Sequence, residues 1–118
     1  MSMADPDAVL RYYECIDAEE YESVFGLFAD DVTYERPGRS KLAGMDEFRT
    51  FYLERRSLDE GHHEIHEVVV DDDTVAVRGS FTGRQGDEEV AFDFADFHRF
   101  DSDGKITERW TYTDRDEV

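Results

Sequence analysis

The chain has 118 residues, 39% of them hydrophobic and 14% aromatic, enough for one modest core over residues 1–118 and too much for a disordered segment. A formal net charge of −18, spread along the whole chain, excludes nucleic acid and anionic membranes as expected partners, because phosphate binding needs clustered Lys and Arg. No apolar run reaches the length of a membrane span or a signal segment, and a single cysteine, Cys15, excludes an internal disulfide and fits a reducing cytoplasm.

Asp5-Pro6 marks a helix start, an N-cap residue followed by proline at the first helical position. Val9, Tyr12, Tyr13 and Ile16 then fall on one apolar stripe, which makes Cys15 an inert helical thiol. A second helix is predicted from the same spacing of Tyr21, Val24, Phe25 and Phe28, ended by Asp30-Asp31. Val32 to Arg36 reads as a short strand closed by Pro37-Gly38. A third helix follows Gly44 with Met45, Phe48, Phe51 and Tyr52 inward. From Glu64 onward everything reads as strand: 64–70 and 74–82 around an Asp71–Asp73 turn, then, after a turn at Gly83–Asp87, two more strands joined at Asp101–Gly104. The order α-α-β-α-β-β-β-β, helices before a meander, is an α+β layout: a curved, largely antiparallel sheet on three N-terminal helices.

The last two strands carry the chemistry. Asp96 and His98 share a face with Phe92 and Phe94, and ionisable groups on a buried face need partners or a task. That face is expected to wall a pocket. The facing of 62–66 is open. A two-residue turn centred on Asp72-Asp73 puts His62, Glu64 and His66 on the face of Val77 and Phe81; a three-residue turn puts them outside. As metal ligands these three would span about 13 Å at roughly 3.3 Å per residue, with no second group in view, so no metal is expected. Asp101–Gly104 lacks the distal glutamate of a calcium loop, and Gly83–Gly86 precedes no helix and so is not a phosphate loop. Two lysines against eleven arginines, with this much acid, is a composition similar to that of halophile proteins, in which molar salt screens self-repulsion.

The element order, together with FADDVTYERPG (28–38), LAGMDEFRTFY (42–52) and FHRFDSDGKITERW (97–110), resembles the nuclear transport factor 2-like superfamily. Within it, the SnoaL-like and ketosteroid-isomerase-like proteins are the nearest kind. The resemblance covers nearly the whole chain and implies a cone-shaped fold that hosts isomerases, cyclases, hydrolases, dehydratases and non-catalytic binders. It implies an oxyanion hole of Tyr12 and Asp96, with Tyr52 supporting Tyr12 and Phe28 standing where a second supporter would be; ketosteroid isomerase pairs such an oxyanion hole with a carboxylate base. Here the base position holds Arg36, and a last-strand aspartate of some relatives is replaced by Thr111. Cavity-facing side chains implied by the same register are Tyr34 and Arg36, then Val77, Gly79 and Phe81. Phe94, Asp96 and His98 follow on the next strand, and Arg109, Thr111 and Thr113 on the last.

Two environments for Asp96 follow from physics. Among aromatics it would be neutral and donate to an oxyanion beside Tyr12; beside Arg36 or Arg109 it stays ionised and acts as a base, with Tyr12 or the arginine as electrophile. His98 is the replacement proton carrier, or else a histidine satisfied by a backbone carbonyl. The expected activity is cofactor-independent proton transfer next to a carbonyl in a small molecule, isomerase- or cyclase-like. The alternatives are a binding or sensing domain with Arg36 and Arg109 on an anionic ligand, or a partner-binding module. Phe97, Trp110 and Tyr112 on the outer sheet face imply a homodimer.

Overall fold

In the computed structural model, which describes residues 4–115 and 118, the Asp5 carboxylate accepts the Asp7 N–H at 3.0 Å and Pro6 opens helix α1 (Pro6–Asp17). The helix buries Val9, Tyr12, Tyr13 and Ile16, the predicted stripe. Helix α2 (Tyr21–Phe25) is shorter than its apolar pattern. It stops at Gly26, and Phe28 opens strand β1 (Phe28–Glu35) instead of closing the helix. The cause lies far along the chain. The Leu27 carbonyl accepts the Ile106 N–H at 3.0 Å, Phe28 pairs with Ile106, and the Phe28 ring packs 4.5 Å from that of Phe48. Strand pairing and ring burial override the local helical preference.

A two-residue strand β2 (Leu42–Ala43), absent from the sequence reading, pairs with β1 ahead of α3 (Met45–Thr50). The third helix ends in a π-helical turn, Phe51–Arg55, closed by the Arg56 N–H on the Phe51 carbonyl at 2.7 Å. That extra residue turns both Phe51 and Tyr52 into the core. Four strands follow: β3 (Leu58–Asp71), β4 (Thr74–Gln85), β5 (Glu88–Phe100) and β6 (Ile106–Thr113). The sheet order is β2-β1-β6-β5-β4-β3, and only β1 and β6 run parallel. The result is the expected α+β cone, a mixed sheet with three helices on its inner face. Along β5, Val90, Phe92, Phe94, Asp96, His98 and Phe100 are all buried, the period-2 pattern of a strand with one inner face.

The facing of β3 turns on one residue. The turn is the two-residue kind, with Asp71 opposite Thr74 and Asp72 at φ +53°. Alone, this would send His62, Glu64 and His66 inward. The ladder then slips: Glu67 lies opposite Arg78 but Ile65 opposite Gly79, so His66 is an extra residue, a β-bulge. One inserted residue exchanges the faces. His63 and Ile65 turn inward; His62, Glu64 and His66 are exposed. Gly79 permits the close approach there, since a Cβ at this position would lie 2.3 Å from the Glu64 carbonyl oxygen.

Candidate functional site

Asp96, 2% exposed, is the hub of a buried polar cluster. Its Oδ1 accepts the Thr111 hydroxyl at 2.6 Å; its Oδ2 accepts the Tyr13 hydroxyl at 2.6 Å and Arg109 Nη2 at 2.8 Å. Burial alone would raise this carboxyl. Arg109 and the two hydroxyls outweigh it and hold the group below the usual carboxylate range. Of the two environments set out for Asp96, the structure has the cationic one. The neutral, donating Asp96 beside Tyr12 does not occur: Tyr13, one residue along α1, meets the carboxylate, and Tyr12 meets Tyr52 at 2.6 Å.

An ionised carboxylate only accepts, so it sets the direction of the bonds around it. Thr111 donates to Asp96, hence Tyr34 donates to Thr111 at 2.6 Å, and Arg36 Nη1 donates to Tyr34 at 3.0 Å. Arg109 commits all three of its nitrogens inside the protein. Its Nε donates to His98 Nε2 at 3.1 Å, Nη1 to the Tyr52 hydroxyl at 3.3 Å and Nη2 to Asp96, while the Tyr12 and Tyr34 rings lie 4.3 and 4.6 Å from its Cζ. Burial works against this cation, and Asp96 more than restores it. Each of its three nitrogens donates within the protein, which leaves one further N–H on each Nη. Arg36 differs: its Nη2 donates to the Val118 main-chain oxygen at 2.6 Å, and its Nε is buried with no partner among the described residues.

His98 is 0% exposed. Its Nε2 accepts from Arg109, so the proton sits on Nδ1 and is donated to the Val75 carbonyl at 3.1 Å. Burial, then Arg109, push its pKa down to about 4. Both nitrogens are occupied, which is the satisfied-histidine alternative and leaves none for a ligand. Tyr12, Tyr13 and Tyr52 are all raised, chiefly by burial, and stay neutral donors.

The cavity at the centre holds only about 30 Å³, room for about one water. Tyr12, Tyr34, Arg36, Phe94, Asp96, Arg109 and Thr111 line it. Tyr52 stands behind Tyr12. Val77 and Phe81 are core residues on the same inner face, and Thr113 is turned to the Arg115 carbonyl at 2.8 Å. Sequence reasoning missed Tyr13, Arg56, Leu58 and Val118, and also His63, which the bulge turns inward. Val118, buried, is part of the cavity wall and donates its N–H to the Pro37 carbonyl at 3.3 Å.

A family model for the SnoaL-like domain matches residues 9–109 of the chain. The chain belongs to the SnoaL-like domain family. Among solved structures, this SnoaL-like domain is similar to an NTF2-like protein of unknown function from Burkholderia pseudomallei, with a TM-score of 0.84 at 18% identity, covering 97% of this chain and 92% of that one. It is also similar to an LEH-like epoxide hydrolase of M. tuberculosis (0.78, 24%, covering 92% and 80%). A protein with a ketosteroid-isomerase-like fold from Catenulispora acidiphila, solved in complex with trimethylamine, matches at 0.79 and 18%, covering 92% and 86%. At these identities the likeness establishes the fold. A search of curated protein sequences finds no match. Among the described residues no helix is long and apolar enough to cross a membrane.

Proposed function

We propose that this SnoaL-like domain binds a small oxygen-bearing molecule in its cone and transfers a proton next to the carbonyl of that molecule, without a cofactor. The observation that carries the reading is the hydrogen-bonded series Arg109–Tyr52–Tyr12. Arg109 Nη1 donates to Tyr52, whose hydroxyl lies 2.6 Å from that of Tyr12; in the proposed complex Tyr52 donates to Tyr12 and the Tyr12 O–H points at a ligand oxygen in the cavity. A neutral phenol backed by a buried cation through a second phenol is a strong donor to a developing oxyanion. Asp96 positions Arg109 in this scheme; with three hydrogen bonds accepted and its pKa lowered, it is a poor base. A ligand of several atoms needs more room than this cavity offers and displaces Val118 from its wall.

The test is binding of a naphthol oxyanion mimic, followed by absorbance in molar KCl. Tyr12→Phe and Tyr52→Phe are each expected to weaken binding about ten-fold, the cost of one charge-assisted hydrogen bond. Wild-type affinity in both variants would sink the reading. One observation favours a second one, a non-catalytic domain for an anionic ligand: the unpartnered, buried Nε of Arg36. In that case Arg36→Gln alone abolishes binding of anions and Tyr12→Phe does not.

We also propose a homodimer through the outer sheet face. Phe97 and Tyr112 are exposed there, with rings 6.1 Å apart, next to half-buried Trp110. Tyr112→Glu is expected to shift a dimer to monomer in sedimentation at micromolar concentration. A wild type that is monomeric at every concentration rules the dimer out.

A further inference from the structure

Asp17, the last residue of α1, reaches across to β3 and takes hold of His63 twice. Its Oδ2 accepts the His63 backbone N–H at 2.9 Å, and its Oδ1 lies 2.5 Å from His63 Nδ1. The carboxylate only accepts, so Nδ1 carries the proton and Nε2 presents a bare lone pair. No hydrogen bond to Nε2 occurs among the described residues, and His63 lines the same cavity as Tyr12. The ring is fixed by Tyr13, Phe81 and Phe94, whose centroids lie 5.1, 4.9 and 5.4 Å away.

Resting on the proton-transfer reading above, we propose that His63 and Asp17 are the proton-carrying pair of the cavity, with His63 Nε2 as the general base and Asp17 as the positioning residue. The base takes the proton from the carbon next to the ligand carbonyl. The C–H electron pair moves into the carbonyl, forming an enolate whose oxygen accepts from Tyr12. The proton returns from Nε2 to carbon, so nothing is oxidised or reduced. Asp17 stabilises the imidazolium in between. Burial lowers the His63 pKa, partly opposed by Asp17, so the ring is neutral near pH 7. The charged and titratable groups that face it are Asp17 and Tyr13 from α1, Arg56 ahead of β3 and Asp96 from β5; His62 adjoins it, 3.9 Å from Asp17.

The role is separable from a merely structural one. A staple joining β3 to α1 would affect stability alone, whereas a base shapes a pH profile. The probe is 5-nitrobenzisoxazole, whose ring opens with release of a coloured phenolate when a base removes its C–H proton. It is followed in molar KCl from pH 4.5 to 8. The expected rate rises with pH through a midpoint below that of an ordinary histidine and then levels. His63→Gln lowers it at least 50-fold. Asp17→Asn lowers it about 10-fold and moves the midpoint further down, since the carboxylate that favours the imidazolium is gone. A His63→Gln rate equal to wild type overturns the proposal. So does a wild type that binds naphthol yet shows no rate above buffer; failure of naphthol binding itself instead removes the reading beneath it. Nitrogen NMR of the wild-type ring supplies a check that needs no variant: a proton on Nε2 rather than Nδ1 at pH 7 also overturns the proposal.

Discussion

Asp96→Asn is expected to cost about 3–5 kcal/mol of folding stability, the usual loss when one partner of a buried ion pair is removed. All three groups around the carboxylate are donors: Thr111 Oγ1, Tyr13 Oη and Arg109 Nη2. An asparagine amide turns its own NH₂ toward at least one of them, and Arg109, 3% exposed, keeps its charge with no counter-ion beside it. The measurement is the urea midpoint in molar KCl. The double variant Asp96→Asn/Arg109→Met is expected to be less unstable than the sum of its singles, because it removes the stranded charge together with its partner. A loss below about 1 kcal/mol for the single variant would show that the carboxylate does not hold the cluster together.

Acid is expected to unfold the protein through His98 before it reaches the carboxylates. The folded imidazole resists protonation down to about 4, whereas the unfolded one takes a proton below about 6.5. Between these values the unfolded state binds more protons, so stability rises with pH across that window and is complete above it. Falling from pH 6.5 to 4 therefore removes about 3 kcal/mol. Asp96, held below its ordinary value, acts in the same direction, but its contribution is lost only as pH falls below about 4. Urea midpoints at pH 7 and 4.5 isolate the histidine when wild type is compared with His98→Gln, which keeps one acceptor for Arg109 and one donor for Val75. The variant should show a flatter pH dependence. Equal slopes would mean that His98 is not the neutral bridge the structure describes.

Both predictions concern residues that were legible as unusual before their roles were. Asp96 and His98 stand out because a period-2 pattern places two ionisable groups among phenylalanines, and the side chains on one face of a strand follow from alternation alone. Which tyrosine meets the carboxylate was not legible. Tyr12 and Tyr13 are adjacent on one helical stripe, and the docking of α1 against the sheet selects Tyr13 for Asp96 and Tyr12 for Tyr52. Likewise Arg36 and Arg109 both looked equally available for an anion, and only the packing of Tyr12, Tyr34, Tyr52 and His98 around Arg109 commits its charge to partners inside the protein.

By itself the sequence determined what depends on neighbours along the chain: the Asp5-Pro6 start of α1, the alternation of β5, the presence of turns at 71–73 and 101–104, the α+β order, and a face on which Asp96 must find partners. The tertiary structure alone decided what depends on distant surfaces meeting. Pairing with Ile106 ended α2 early, and the approach of Gly79 to β3 accommodated the bulge at His66. Through that bulge His63, and not His62, Glu64 or His66, came to line the cavity. A bulge adds one residue without any local signature, yet it exchanges the side chains from Ile65 back to His62 between core and solvent, so the identity of the inward histidine was set by contact across the sheet.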